Sequence, residues 1–165
     1  MPSDAQARSV SGSRVTTAPR ILTLLNMGTG WSRGVLSGFM AVAHEQGWAV
    51  LHYPPPVDVE ALVQRFLPAA ILIGPDSGKV PFFAASPVPI VSVALDLSSQ
   101  GIPSVLPDEE RIGLLALEHL LATGLRQVST FRLDGSQFGI ARERAFIAGA
   151  RKAHARVAVG WGSED

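Results

Sequence analysis

Glycines 28, 30 and 34 lie in the run Asn26-Met27-Gly28-Thr29-Gly30-Trp31-Ser32-Arg33-Gly34, between an apolar run and a helical pattern. A dinucleotide-binding turn cradles a pyrophosphate at such a junction. The spacing here is G-x-G-x-x-x-G, one residue longer than that fingerprint, and the second apolar run ends in Tyr53-Pro54-Pro55-Pro56 where an acid should hold the ribose hydroxyls. A nicotinamide or flavin cofactor is therefore not expected. The milder chemistry is recognition: an open backbone with Asn26, the flat face of Trp31 and the donor fork of Arg33 suits stacking on a sugar ring and bonding its hydroxyls. A tryptophan at a helix start serves packing equally well. Asp76 and Ser77 follow the third apolar run and would reach the same edge, or form an ordinary polar turn.

Little else in the chain could do chemistry. His44, His52, His119 and His154 show no metal-ligand spacing, and His119 falls on or beside the inner stripe of its helix, where histidines are usually structural. A G-x-S-x-G elbow, a GK[ST] phosphate loop and a convincing carboxylate pair are all missing. No catalytic residue, metal or cofactor is expected. Arg142 and Arg144 are two residues apart on a helix, hence about 200° apart around it, so one can face a crevice while the other faces solvent.

These residues need elements to hold them. After Pro19 short apolar runs alternate with helical patterns, the signature of an α/β fold with a parallel sheet and helices on both faces. Strands are expected over 21–26, 49–53, 70–73, 90–93, 104–106 and 128–131. The first helix should be capped by Ser32, bury Val35, Leu36, Phe39, Met40 and Ala43, and end at Gly47. A second covers 59–66 and stops before Pro68, and 74–89 allows at most one helical turn near 82–85. The stretch 102–128 is the best punctuated: Asp108 caps a helix with Glu109 and Glu110 in its first turn, Ile112, Leu115, Ala116 and Leu120 form its apolar face, and Gly124 closes it. A last helix fits 138–154, with Ile140, Phe146, Ile147 and Ala150 inward, and a strand-like tail follows.

Composition narrows the classes further. The 165 residues suit one ordinary domain, and an apolar content of 47% suffices for a core. With 14 basic and 14 acidic residues the chain has no broad positive field, so non-specific nucleic-acid binding is not expected of it. There is no cysteine, which fits a reducing cytosol. No run approaches the roughly 18 apolar residues of a membrane helix. Residues 1–19 lack the apolar core of a signal peptide and read as a disordered leader.

The run Pro107-Asp108, Gly113, Ala116, Glu118-His119-Leu120, Gly124 and Arg126 resembles the effector domain of the lactose-repressor/galactose-repressor (LacI/GalR) family, which has the type I periplasmic-binding-protein fold. RILTLLNMGTGWSRGVLSG, VPIVSVALD and ARERAF are most similar to the xylose-operon regulator (XylR) type, in which such a sensor precedes an AraC-type DNA-binding module. The likeness covers 20–152. It implies that 20–104 form a first lobe and 105–165 begin a second, the two closing over a small effector, commonly a sugar. Arg142, with Ala145 and Phe146, matches the arginine that contacts sugar hydroxyls in related binders. Where many relatives carry an aspartate after the fourth strand this chain has Ala94, and Asp96 stands two residues on.

The resemblance implies a cytoplasmic transcription regulator, a homodimer when complete, that meets DNA only through a module outside these residues. It also implies a sensor about twice this length, so the polypeptide is expected to be a truncated form, and this chain alone to bind effector weakly or not at all. The expected ligand-binding residues are Asn26, Trp31, Arg33, Asp76, Asp96 and Arg142. The rival readings are an exported sugar-binding transport protein and a nucleotide-dependent α/β enzyme using Gly28 to Gly34.

Overall fold

The computed structural model describes residues 18–75, 80–133 and 137–162. Two compact units divide the chain, Met1–Leu106 and Pro107–Asp165. In the first, β1 (Arg20–Leu24), β2 (Ala49–His52), β3 (Ala70–Ile73), β4 (Ile90–Val93) and β5 (Ser104–Val105) form one sheet in the order β2-β1-β3-β4-β5. All four pairings are parallel. Parallel neighbours need crossovers, and α1 (Gly30–Glu45), α2 (Val59–Phe66) and α3 (Val80–Ala85) supply them.

Alternate strand residues feed two cores. Leu22, Leu24, Ile71, Ile73 and Ile90 pack with Val59 of α2 and Phe83 of α3, while Leu25, Leu72 and Val93 pack with Val35, Leu36 and Phe39 of α1. Sheets covered on both faces read as continuous apolar runs, and these do. Strand β1 ends at Leu24, short of the expected Asn26, so Asn26 belongs to the loop.

Helix α1 also begins before the expected cap. Thr29 is its N-cap, with extended φ and ψ of −105° and 149°, and its hydroxyl oxygen accepts the Ser32 amide at 3.1 Å. Ser32 is instead a buried residue of the first turn. Met40, expected inward, is exposed, because the helix rests on the sheet through Val35, Leu36 and Phe39 and the next residue turns about 100° away. Gly47, at φ 67°, makes the left-handed exit that the sequence anticipates.

The second unit holds α4 (Glu109–Ala122), β6 (Gln127–Leu133), α5 (Gln137–Lys152) and β7 (Arg156–Gly162). Strands β6 and β7 pair in parallel from Gln127↔Arg156 to Leu133↔Gly162, so the strand-like tail is a strand. Asp108 caps α4 as expected, its Oδ1 accepting the Arg111 amide at 2.9 Å. The buried face of α4 differs from the expected one. Gly113 and Leu117 are its buried residues, whereas Ile112 and Leu115 are exposed, as is His119.

A glycine explains the shift. A Cβ on Gly113 would stand 2.2 Å from the Arg142 carbonyl oxygen, and one on Gly149 would stand 2.6 Å from Leu117 Cδ2. The two helices thus cross backbone to backbone at a residue that an apolar periodicity does not count. The core beneath is Leu117, Val128, Phe146, Ala150 and Ala155. Ile140, expected inward on α5, is 44% exposed.

This crossing yields a stability contrast. Gly113→Ala should destabilise the chain by roughly 1–3 kcal/mol, the usual cost of overpacking, because backbone must move. Gly38→Ala, in mid-α1 with nothing within 4 Å of its added Cβ, should stabilise by about 0.5–1 kcal/mol. Thermal melts followed by circular dichroism check both signs.

Candidate functional site

Because every strand of the first sheet runs the same way, the segments after β1, β2, β3 and β4 all leave from one edge. Crevices at this edge are where open α/β sheets bind ligands. The loop after β1 is braced by its own polar groups. Asn26 Oδ1 accepts the Gly28 amide at 2.9 Å, and Arg33 Nη1 donates to the Met27 carbonyl at 2.8 Å. Thr29 donates its hydroxyl to Ser32 Oγ at 2.9 Å while capping the helix. Trp31, in the first turn, is 41% exposed and so leaves an indole available for stacking.

The same geometry weighs against a dinucleotide turn. The last glycine of that fingerprint allows close packing of helix on strand. Gly34 has nothing within 4 Å of an added Cβ, so no close approach demands it. Tyr53, at the end of β2, packs its ring on Phe66 at 5.7 Å between centroids. His52 Nδ1 shares a hydrogen bond with the buried Thr23 hydroxyl at 3.0 Å, a structural role between two strands.

After β4 the chain turns through Ala94, at φ 68°, a left-handed conformation that a non-glycine residue adopts at some cost. The Ala94 amide still donates to the Val105 carbonyl at 3.0 Å. Asp96 lies just beyond, and its Oδ1 accepts from both the hydroxyl and the amide of Ser98, at 2.5 and 3.1 Å. Those two bonds hold the exposed Asp96 carboxyl below its ordinary value of 3.8. Asp96 therefore already braces the short 3₁₀ turn Ser98–Gln100. Asp76 and Ser77 fall outside the described residues.

In the second unit the starts of α4 and α5 follow β5 and β6. Arg142 Nε donates to Glu109 Oε2, and its guanidinium sits 5.6 Å from the Phe138 ring centroid. One residue on along α5, Glu143 Oε2 accepts from Arg132 Nε at 3.1 Å. Glu143 Oε1 is buried and accepts no hydrogen bond among the described residues. Arg144 is exposed, as the spacing of the two arginines anticipates. The sequence points to Arg142 but not to Glu109, 33 residues away, as its partner, nor to Arg132 and Glu143. Glu109 reads in sequence as an acid for the helix dipole, and only its adjacency to Asp108 at the start of α4 could have raised it.

The cavity between α1 and the sheet, about 670 Å³, is a different kind of space. It is lined by Ile21, Phe39, Val42, Leu72, Val93 and other apolar groups and has no charged side chain to orient a polar ligand. Among the described residues no group of three or more His, Cys, Asp or Glu side chains could hold a metal ion.

No protein-family model matches the chain, and no curated protein matches its sequence. Solved structures do match. A periplasmic binding protein/LacI transcriptional regulator from Alkaliphilus metalliredigens, complexed with D-xylulofuranose, superposes with a TM-score of 0.70 at 16% identity, over 90% of this chain and 58% of that one. The fold is that of type I periplasmic-binding-protein and LacI effector domains. A LacI transcriptional regulator from a Rhodococcus species gives a TM-score of 0.72 at 19% identity, over 87% of this chain and 57% of its own. The Cra regulator from Pseudomonas putida, in complex with fructose 1-phosphate, gives 0.70 at 13%, over 88% and 58%. The chain thus spans less than two thirds of the length of the chains it matches. These neighbours are regulators and binding proteins, and no helix among the described residues is long and apolar enough to cross a membrane.

The Asp96 contacts fix a pH dependence. A lowered pKa means that folding favours the ionised form, so the Asp96 contribution is complete above the ordinary 3.8 and is lost as pH falls through the lower folded value. Ser98→Ala should move the midpoint of the Asp96 carboxyl, read by carbon NMR, back up toward 3.8. A midpoint unmoved by that change would assign the shift elsewhere.

Proposed function

We propose that this chain is the ligand-sensing part of a transcription regulator that binds a small polar effector, a sugar such as xylose, without transforming it. In this reading residues 20–104 are the first lobe and 105–165 the beginning of the second. The observation that carries it is the pairing of an exposed aromatic with fixed donors and acceptors, Trp31 with Asn26 and Arg33, at the strand-end edge of a fold whose neighbours hold a sugar and a sugar phosphate. Asp76, Asp96 and Arg142 complete the proposed ligand set. The effector would act by population shift, stabilising whichever conformation gives it more contacts. Regulation would need a DNA-binding module outside these residues, a homodimer of the full-length protein and a cytoplasmic setting. Closeness to the xylose-operon regulators rests on the sequence blocks around Asn26, Val93 and Arg142.

The same fold serves exported sugar-binding proteins, and one neighbour's name joins both roles. Cell fractionation separates the readings: the regulator reading expects the protein in the cytosol, and mature protein in the periplasm would favour transport.

Titration of the chain with D-xylose, followed by amide NMR shifts, should move Gly28, Trp31, Arg33 and Arg142 with an affinity in the millimolar range, about −4 kcal/mol. Arg142→Ala should weaken binding about tenfold, the loss of one charge-assisted hydrogen bond. Of the two outcomes expected for this chain alone, weak binding is the one proposed, so if neither D-xylose nor other neutral pentoses and hexoses shift these amides, the sugar reading fails.

A further inference from the structure

The two arginines at the start of α5 and the end of β6 are each held by a carboxylate. We propose that Glu109 and Glu143 set the charge class of the effector: by occupying Arg142 and Arg132 they exclude phosphorylated and carboxylated ligands and select a neutral polyhydroxyl compound. This rests on the reading of that edge as part of an effector site.

The argument starts from what an anion requires. Phosphate and carboxylate groups are recognised by a guanidinium with free parallel donors, by a helix N-terminus, or by both. Arg142 commits its Nε, and with it the side-on donor fork, to Glu109 and lies against the Phe138 ring, and Arg132 commits its Nε to Glu143, so each guanidinium already faces a carboxylate that balances its charge. The carboxylates are sheltered, with side-chain exposures of 17% for Glu109 and 14% for Glu143, and while Arg142 itself is 42% exposed, the Arg132–Glu143 pair is screened less than a surface pair. An incoming phosphate would have to displace them and then lie beside two negative groups, the like-charge contact that specific sites use to reject wrong partners. The N-terminus of α4 is taken as well: Asp108 accepts its amide, and Glu109 and Glu110 occupy its first turn.

A neutral polyol meets the opposite situation. Each pair presents donors beside acceptors, the arrangement that neighbouring hydroxyls satisfy by donating to carboxylate and accepting from guanidinium. The two sugar-bound neighbours span this choice, one holding D-xylulofuranose and the other fructose 1-phosphate. The paired charges of this chain favour the first class.

The test titrates the 165-residue chain with D-ribose and ribose 5-phosphate, D-fructose and fructose 1-phosphate, and inorganic phosphate, reading amide and arginine Nε shifts by NMR. Wild type should bind each neutral sugar at least about tenfold more tightly than its phosphate ester, and inorganic phosphate should leave the Arg142 and Arg132 Nε resonances unmoved. The double variant Glu109→Gln/Glu143→Gln should reverse the order and gain a phosphate response at both arginines. If it does not fold, Glu109→Gln alone should gain that response at Arg142. Tighter binding of a phosphate ester by wild type overturns this inference and leaves the sugar reading standing. A folded variant that keeps the wild-type selectivity also overturns it. Shifts from neither ligand class overturn both.

Discussion

Parallel pairing of β1 with β2 on one side and β3 on the other is the constraint from which the rest of the first unit follows. A parallel strand cannot be joined to its neighbour by a hairpin, so the junctions become crossovers, α-helical after β1, β2 and β3 and a 3₁₀ turn between β4 and β5, and helices come to lie on both faces. That arrangement forces residues from Ile21 to Leu25 to be buried whichever way they point. Each such aliphatic side chain contributes about 1.5–3 kcal/mol on burial. Buried polar groups in the sheet are tolerated only with partners, as the Thr23 hydroxyl finds in His52 and the Ser92 hydroxyl in the Leu95 carbonyl at 2.9 Å.

Shared strand direction also gathers chemistry. Asn26, Trp31, Arg33 and Asp96 are up to 70 residues apart, yet the segments carrying them leave the sheet at the same edge. Much of their polar capacity is spent locally: Asn26 on Gly28, Arg33 on Met27, Asp96 on Ser98. Such bracing fixes the backbone of that edge, and under the proposed function it would lower the entropy a ligand must overcome. In the second unit close contact at Gly113 brings the start of α4 against α5, and that approach lets Glu109 meet Arg142.

Strand and helix order was legible in the residues because apolar runs, Pro68, Gly47, Gly124 and the cap at Asp108 punctuate the chain at nearly every junction. Positions that misled have local causes. Thr29 outcompetes Ser32 as a cap because its hydroxyl lies three residues before a free amide, and both residues are good caps in isolation. Ile112, Leu115 and Ile140 read as core because they are large and apolar, whereas the true contact is made by a glycine with no side chain to count. Arg142 was singled out only by the family resemblance that includes Ala145 and Phe146, and no signal linked it to its carboxylate partner, since no short-range pattern links positions 33 residues apart.

By itself the sequence determined the alternation of strands and helices and the parallel class of sheet, because hydrophobic period, caps and breakers act over a few residues. Tertiary structure alone decided which face of α4 is buried, which hydroxyl caps α1 and which acids neutralise Arg142 and Arg132. Those outcomes depend on backbone approach and on charges brought together from distant positions, and such distances exist only once the chain has packed.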